Sequence, residues 1–266
     1  MVGHVEWIDF VPVERVPRAG EILTTEESWG EAGGGGAVAA GEFLRLGAET
    51  TFFVAVGDDE LGRRTAEELG GWGLRLELAV RSAPQRRGFT YLDAEGERTI
   101  TVLGEKLHPH AEDPLAWDEL ERTDAVYFTG GDTGALRQAR RARTLVATAR
   151  ELSTLAGAGV QLDALVHSSR DPAERYQLGD LDPAPKLVVT TEGAAGGRYA
   201  TSGGEEGRWQ AVPLPGPIAD MYGAGDCFAA ALAFALGEGR ALPDALRFAA
   251  ERGAIAMTRR GVRGAG

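Results

Sequence analysis

The sequence predicts an α/β fold in which a doubly wound, mainly parallel sheet is flanked by helices. Strand-like segments alternate with helical segments through most of the 266 residues, as in sheets whose parallel strands are joined by crossover helices. No internal repeat or long linker interrupts the chain, so residues 1–266 are expected to form a single domain. Two β-rich insertions, near residues 10–30 and 80–103, do not fit the alternation and are expected to form a small separate sheet, a lid, over one end.

The predicted elements follow from local composition. The predicted strands are short runs rich in apolar, β-branched or aromatic residues, and they cover residues 2–10, 51–56, 74–80, 87–103 (a hairpin turning at 93–96), 125–129, 160–166, 187–191 and 198–201. The predicted helices have apolar residues at helical spacing, and they cover residues 37–46, 61–69, 136–155, 226–236 and 242–257. Glycines bound several of them: four open the first helix, Gly47 ends it, and Gly70 closes the second.

Composition excludes several classes of protein. The net charge is -12, with 40 acidic against 28 basic residues, which argues against a nucleic-acid binder because that function needs a basic face. No apolar run approaches the ~20 residues of a membrane span. The first six residues lack the basic and apolar segments of a secretory signal. With one cysteine, Cys227, no internal disulfide can form, so a reducing cytoplasm is the expected location.

The strongest local signal is the segment 220–228, in which a loop with two glycines runs directly into an apolar helix. The first amides of a helix lack intrahelical partners, and together with the helix dipole they form an anion site. Asp226 stands at that point. A carboxylate beside an anion site suits a base that removes a proton from a hydroxyl during phosphoryl transfer. The alternative is that Asp226 is only a helix N-cap and the glycines only a tight turn.

This segment resembles the C-terminal signature D-T-x-G-A-G-D of the ribokinase/PfkB carbohydrate kinase family. The chain has D-M-Y-G-A-G-D at 220–226, with Met221 in place of threonine. The resemblance implies a ribokinase-like fold, with Asp226 as the catalytic base. It also implies that the amides of Gly223, Ala224 and Gly225 hold the transferring phosphate.

A second segment is similar to the family's N-terminal signature of a di-glycine, a helix, R-L-G, a strand and G-D-D-x-x-G. It covers residues 33–62. The resemblance implies that acceptor hydroxyls approach the backbone at Gly34 and Gly35. Asp9, at the end of the first predicted strand, matches the family's aspartate that accepts hydrogen bonds from sugar hydroxyls, although a strand-end aspartate is also a common turn former. Asp132, after two glycines, is a further substrate-binding candidate.

Two weaker segments are similar to the family's nucleotide-binding parts. The apolar strand 187–191 runs into a glycine-rich turn, in which Thr191, Gly193 and Gly196 match the pattern along the nucleotide. Ser168 and Asp171 stand where the family has N-x-x-E, although Asp171 before proline is equally explained as a helix-start turn. The resemblance implies ATP as the phosphate donor with Mg²⁺, held mainly by phosphate and water. Some relatives also depend on a monovalent cation.

The sequence therefore predicts an ATP-dependent kinase that phosphorylates a hydroxyl of a small sugar or sugar-like polyol. The resemblance implies that the lid excludes water and that lid sheets pair in a homodimer, which protects their edges. No nucleic acid or membrane is expected as a partner. Arg87 and Arg98 in the lid can meet an anionic substrate, or they are solvated strand residues.

Other functions compete with this one. A nucleoside kinase would need a stacking surface, for which the candidates are Trp7, Trp29 and Phe89. A non-catalytic sugar- or nucleotide-binding protein is suggested by the departures at Val38, Met221 and Ser168. A loose dinucleotide fingerprint at 34–39 is not favoured, because the residues before it are polar and small. His108 and His110 lack a third metal ligand nearby, and Cys227 is expected to be a packing residue.

Overall fold

The structure, a computed structural model, describes residues 1–95 and 97–264. The strands are β1 (Glu6–Pro12), β2 (Trp29–Gly33), β3 (Thr51–Gly57), β4 (Arg75–Arg81), β5 (Arg87–Leu92), β6 (Arg98–Leu103), β7 (Ala125–Phe128), β8 (Thr144–Thr148), β9 (Ala164–Ser168), β10 (Leu187–Thr191), β11 (Gly197–Thr201) and β12 (Glu206–Trp209). The helices are α1 (Gly34–Arg45), α2 (Glu60–Gly70), α3 (Thr133–Ala139), α4 (Leu152–Ala158), α5 (Ala224–Gly237) and α6 (Leu242–Ala256).

The larger sheet is mainly parallel. Strands β7 to β10 run parallel to one another, and β11 and β12 extend the sheet antiparallel beyond β10. The parallel pair β3–β4 lies on the other side of the N-terminus, where Val2 bridges to Phe53 of β3 and Phe128 of β7. The carboxyl ends of these parallel strands therefore share one edge, where ligands bind in open α/β sheets.

Helices cover both faces of the larger sheet. One core packs α1, α5 and α6 against the sheet, and a second core packs α3 and α4 against the opposite face. Beyond its first turn, helix α5 is apolar around its whole circumference and most of its residues are buried, as expected for a helix enclosed by neighbours. This arrangement fixes the N-terminus of α5 at the carboxyl edge of the sheet.

A four-stranded sheet in the order β2-β1-β5-β6 forms the predicted lid. The chain leaves the larger sheet after Val2 and enters the lid as β1, which is paired with β2 and β5. Ile8 and Phe10 of β1 pack on the inner face beside Leu92 and Tyr222. The edge strand β6 is exposed along its whole length.

Several predicted elements differ from the observed ones. The helix predicted over 136–155 is wrong, because α3, β8 and α4 occupy that region. Strand β8 is fully buried between β7 and β9, and periodicity alone does not separate such a strand from a buried helix. The first strand belongs to the lid, begins at Glu6 rather than at residue 2, and continues past residue 10. Gly96, in the predicted hairpin turn, lies outside the described residues.

In the described ranges 1–95 and 97–264, no helix has both the length and the apolar character that crossing a membrane requires.

Candidate active site

The segment 220–226 forms the loop that leads into α5 at the carboxyl edge of the larger sheet. Gly223 is the N-cap residue of α5 and has φ +74°, a conformation that favours glycine. A Cβ at Gly223 would also stand 2.7 Å from a methyl carbon of Val38. Val38 therefore supports the loop by packing.

The first amides of α5 remain open. In the part of the chain that the structure describes, the backbone N–H groups of Ala224 and Gly225 donate to no protein oxygen. A Cβ added to Gly225 would meet nothing within 4 Å. The loop therefore offers unpartnered donors at a helix N-terminus, which is the geometry of an anion site.

Asp226 lies in the first turn of α5 but does not cap it. The N-cap position belongs to Gly223, and no side chain caps this helix. The half-buried Asp226 carboxylate accepts one long hydrogen bond, from the Tyr127 hydroxyl at 3.4 Å. Burial, and next the nearby Glu174 carboxylate, raise the pKa of Asp226 to about 6. This carboxylate is ionised near neutral pH and basic enough to take a proton.

The two predicted acceptor glycines lie beside this carboxylate. A Cβ at Gly35 would stand 2.7 Å from Oδ1 of Asp226. Gly34 has φ +80°, and its N–H donates to the Tyr222 hydroxyl at 2.7 Å. The strand–helix junction between β2 and α1 and the loop before α5 thus form one site.

Glu6 also belongs to this site, although no sequence motif includes it. A Cβ at Gly34 would stand 3.2 Å from Cγ of Glu6. Arg86 Nε lies 2.7 Å from the buried Glu6 carboxylate, and burial raises the pKa of Glu6. The polar break that Glu6 makes in an apolar segment was the available signal.

Asp9 and Asp132 form other contacts within the protein. Asp9 lies within β1 of the lid, where it pairs with Arg87 at 2.7 Å and accepts a hydrogen bond from Trp7 Nε1 at 3.1 Å. Asp132 caps α3, and its Oδ1 accepts from the backbone N–H of Ala135 at 2.6 Å. The substrate-binding roles of Asp9 and Asp132 stay predictions, and these contacts do not favour those roles.

The structure brings the two predicted nucleotide segments together. Ser168 at the end of β9 is in register with Thr191 at the end of β10. Gly193 and Gly196 follow with φ +63° and φ +81°, and a Cβ at Gly196 would stand 2.2 Å from Trp209 O. These glycines are therefore required by the turn itself, whatever ligand lies beside it.

Arg150 and Glu174 are further charged groups that sequence reasoning missed. Arg150 follows β8 and pairs with Asp171 and, at 2.9 Å, with Glu174. Glu174 accepts a hydrogen bond from the N–H of Ser168 at 2.7 Å. Both side chains act on Asp226: the Glu174 carboxylate raises the pKa of Asp226, and the Arg150 guanidinium lowers the pKa of Asp226. Arg150 was missed because β8, the strand that precedes it, was predicted as part of a helix.

The lid also reaches this site. Arg98, the first residue of β6, donates a hydrogen bond to Met221 O in the loop before α5. Its guanidinium lies 5.9 Å from the centroid of the Tyr222 ring. Arg87, by contrast, pairs with Asp9 within the lid.

Cys227, the dinucleotide-like glycines and the two histidines contribute no chemistry to this site. Cys227 is buried beside Val38, and burial raises the pKa of its thiol, so it is a packing residue. A strand, β2, does precede the dinucleotide-like glycines, but it pairs antiparallel within the lid rather than in a parallel βαβ unit. Among the described residues, no group of three or more metal-ligating side chains includes His108 and His110.

A groove of about 1290 Å³ lies at the opposite edge of the larger sheet. Its lining includes Met1, Thr51 and Arg75, and none of the site residues described above. The chemistry-bearing side chains gather instead where the lid meets the carboxyl edge.

Over nearly its whole length the chain is similar to known proteins. The chain is 27% identical over 284 residues to a ribokinase of Bacillus subtilis (strain 168), with 99% of this chain and 94% of that protein covered. A ribokinase structure from Thermotoga maritima has a TM-score of 0.76 at 20% identity, covering 98% of this chain and 93% of the other. A structure of Arabidopsis thaliana ribokinase complexed with ribose and ATP has a TM-score of 0.73 at 21% identity, covering 98% and 92%.

These structural likenesses confirm the predicted ribokinase-like fold class. The sequence pattern of the family described as pfkB family carbohydrate kinase matches two overlapping segments, residues 1–177 and 135–265. Together the segments span nearly the whole chain, and they include both signatures on which the resemblance was based. The chain therefore belongs to the pfkB family of carbohydrate kinases.

Proposed function

We propose that this protein transfers the γ-phosphoryl group of ATP to a hydroxyl of a small sugar or sugar-like polyol. Asp226 acts as the base, and the amides of Gly223, Ala224 and Gly225 form the anion hole. The observation that carries the proposal is the combination at the N-terminus of α5: a carboxylate with raised pKa stands beside backbone amides that lack protein acceptors.

Each group has a distinct task in this mechanism. Asp226 removes the proton from the acceptor hydroxyl as the oxygen attacks phosphorus, and the bond from phosphorus to the leaving oxygen of ADP breaks. The loop amides donate to the phosphoryl oxygens, where negative charge is concentrated during transfer. Gly34 and Gly35 carry no side chain, so the acceptor can approach the backbone beside Asp226.

The donor is proposed to lie along Thr191, Gly193 and Gly196. The adjacent carboxylates of Asp171 and Glu174, which both pair with Arg150, would supply oxygen ligands of the type that Mg²⁺ prefers, directly or through water. Magnesium bound with the phosphates would neutralise part of their charge. Dependence on a monovalent cation stays a prediction.

A sugar acceptor is favoured over a nucleoside because two of the three candidate stacking surfaces, Trp7 and Trp29, are already occupied. Trp29 stacks on Phe10 with ring centroids 4.9 Å apart and carries Arg260 on its ring, 4.0 Å from the centroid. Trp7 is 2% exposed and lies under Arg64. A nucleobase would have to displace these contacts in order to stack.

The lid is proposed to close over the acceptor and to pair with a second copy of the chain. Its edge strand β6 exposes Ile100, Val102 and Leu103, and pairing would cover these side chains and the strand edge. A homodimer in a reducing cytoplasm is therefore the proposed state. Light scattering of the purified protein would test the oligomeric part.

The test of the proposed function is a coupled assay of ATP turnover with Mg²⁺ against pentoses, hexoses, sugar acids and nucleosides. Wild type is expected to release ADP only when a neutral sugar is present. Asp226→Asn should lose about 10²–10⁴-fold in turnover, the typical contribution of a general base, while binding ATP as wild type does.

Two results would contradict parts of the proposal. Turnover that survives in Asp226→Asn would show that another group is the base. ATP binding without turnover on any acceptor would favour a non-catalytic binding protein on the kinase scaffold.

A further inference from the structure

We infer that the segment after α6, residues 257–262, positions the two halves of the catalytic site, and we call it the C-terminal strap. The adjacent N–H groups of Gly261 and Val262 bridge two buried carboxylates, Asp220 and Glu31, which belong to opposite sides of the site. Glu31 and Gly261 are thereby assigned as positioning residues. The inference rests on the proposed function, because the site that the strap positions is the one proposed to transfer phosphate.

One side of this bridge is the loop before α5. The N–H groups of Ala219 and Asp220 donate to Met257 O at 2.9 Å and 3.3 Å. Asp220 is 1% exposed, and its Oδ2 accepts from Gly261 N–H at 3.1 Å while its Oδ1 accepts from Tyr222 N–H at 2.7 Å. One oxygen of this carboxylate therefore binds the strap, and the other fixes the turn of the loop.

The other side of the bridge is β2, the lid strand that leads into α1. Glu31 of β2 is 9% exposed, and its Oε1 accepts from Val262 N–H at 3.0 Å and from Trp29 Nε1 at 3.2 Å. Burial raises the pKa of Glu31, and the Val262 N–H opposes that rise. Loss of such a donor destabilises a buried carboxylate, so Glu31 holds the strap against the strand.

The strap fits closely against β2. Gly261 has φ +65°, and a Cβ at this position would overlap Oε1 of Glu31. On one side of it, Arg260 pairs with Glu27 of the lid at 2.6 Å. On the other side, Val262 is buried in a small apolar cluster. The position of Gly261 therefore requires a glycine, both for its φ angle and for the approach to Glu31.

The bridge fixes the distance between the two halves of the site. The Cα atoms of adjacent residues are about 3.8 Å apart across a planar peptide, so the strap holds Asp220 and Glu31 side by side. Their like charges repel, and the strap N–H groups offset this repulsion. Asp220 stands three residues before Gly223, and Glu31 stands three residues before Gly34. Loss of the bridge would therefore move the proposed anion hole relative to the acceptor glycines.

The experiment combines steady-state kinetics with hydrogen exchange on the whole protein. The probes are D-ribose and D-fructose, each with ATP and Mg²⁺, and the variants are Glu31→Ala, Glu31→Gln and Gly261→Ala. Glu77→Ala is the matched control for the glutamate, because Glu77 of β4 also accepts a backbone N–H, from Ala116 at 2.7 Å. Gly239→Ala is the control for the glycine, because Gly239 has φ +76° but a Cβ there would meet nothing within 4 Å.

We expect Glu31→Ala and Gly261→Ala to lower kcat about 10–100-fold, as for misplaced reacting groups, with the KM for ATP unchanged. Glu31→Gln retains an oxygen that can accept both N–H groups, so this variant should regain most of kcat. Both control variants should lower Tm without lowering kcat. Hydrogen exchange should become faster at residues 219–223 and 31–36 in Glu31→Ala and Gly261→Ala only.

Wild-type kcat in both Glu31→Ala and Gly261→Ala would overturn the inference and leave the kinase intact. Equal losses in Glu31→Ala and Glu31→Gln, or in the controls, would also overturn it, because the bridging bond would then not be the cause. If wild type phosphorylates neither sugar, exchange decides the inference separately from the proposed function: unchanged exchange at residues 219–223 in Glu31→Ala contradicts the bridge, and faster exchange supports it. Should Glu31→Ala fail to fold, Gly261→Ala decides, since it retains both carboxylates.

Discussion

The carboxylate of Asp226, at the edge of the larger sheet, and that of Asp9, in the lid, have opposite surroundings. Asp226 is half-buried, and its one hydrogen bond, from Tyr127, is 3.4 Å long. Asp9 is paired with Arg87 at 2.7 Å and also bonded to Trp7. From the sequence, both residues were assigned to the active site.

The comparison shows which kind of acidic residue is available for chemistry. A carboxylate satisfied by its own neighbours stabilises the fold, whereas one with a raised pKa and unused bonding capacity marks a reactive site. Glu6 shares a raised pKa with Asp226, although it lies in the same strand as Asp9. Four predictions test this contrast.

The largest effect is expected from Gly35→Ala. The added methyl group would stand 2.7 Å from Oδ1 of Asp226 and occupy the acceptor's space. We expect kcat/KM for the acceptor to fall at least about 100-fold, as for misplacement of reacting groups. A Cβ at Gly41, in the same helix, would make only ordinary van der Waals contacts, so kcat/KM of the Gly41→Ala variant should stay at the wild-type value. Equal losses in both variants would point to damage to α1 rather than to the site.

An intermediate effect is expected from Arg98→Gln, which removes the contact between the lid and the loop before α5. Loss of this charged hydrogen bond between the lid and the loop corresponds to roughly tenfold in kcat/KM. Arg87→Gln breaks only an ion pair with Asp9 inside the lid, which does not join the lid to that loop, so the loss should be smaller. Steady-state kinetics of the two variants provides the check, and a larger loss in Arg87→Gln would reverse the roles assigned to the two arginines.

A smaller effect is expected on the acid limb of the pH profile. Asp226 must be ionised to act, so kcat/KM should rise with pH and level off above about 6. Tyr127→Phe removes a hydrogen bond that lowers the pKa of Asp226, so the limb should move to higher pH. Glu174→Gln removes a negative charge that raises the pKa of Asp226, so the limb should move lower. Shifts in the same direction would exclude Asp226 as the titrating group.

The smallest effect concerns stability. Because folding raises the pKa of Asp226 to about 6 from its usual 3.8, the folded state favours the protonated form. The associated stability is present at pH 4 or below and is lost as pH rises through about 6. Asparagine does not titrate, so the Asp226→Asn variant does not lose this stability as pH rises. It should therefore be more stable than wild type at pH 8, by on the order of 1 kcal/mol or about 2–4 °C in Tm. Thermal unfolding at pH 4 and pH 8 tests this, and a difference independent of pH would contradict it.

The sequence was informative about features that depend on backbone conformation and on the local order of strands, loops and helices. The segment 220–226 predicted a loop entering a helix, and the structure has α5 beginning at Ala224 with open amides. The glycines at 33–36 predicted a helix start, and α1 begins at Gly34. Such features rest on φ angles and on helix termini, which neighbouring residues largely determine. Alternation of strands and helices likewise predicted the mainly parallel sheet.

Long-range contacts, by contrast, determine which charged side chains share the site. Glu6 and Arg150 lie 144 positions apart in the sequence, yet the Arg150 charge lowers the pKa of Glu6 as well as that of Asp226. Arg150 was hidden by a buried strand that has the same apolar composition as a helix segment. Glu6 and Asp9 differ only in the face of β1 on which they lie, and that face is set by pairing with β2 and β5. A one-residue change of register reverses the face of every side chain in a strand, so long-range strand pairing, rather than local sequence, determines which acidic side chain of β1 lies beside Gly34.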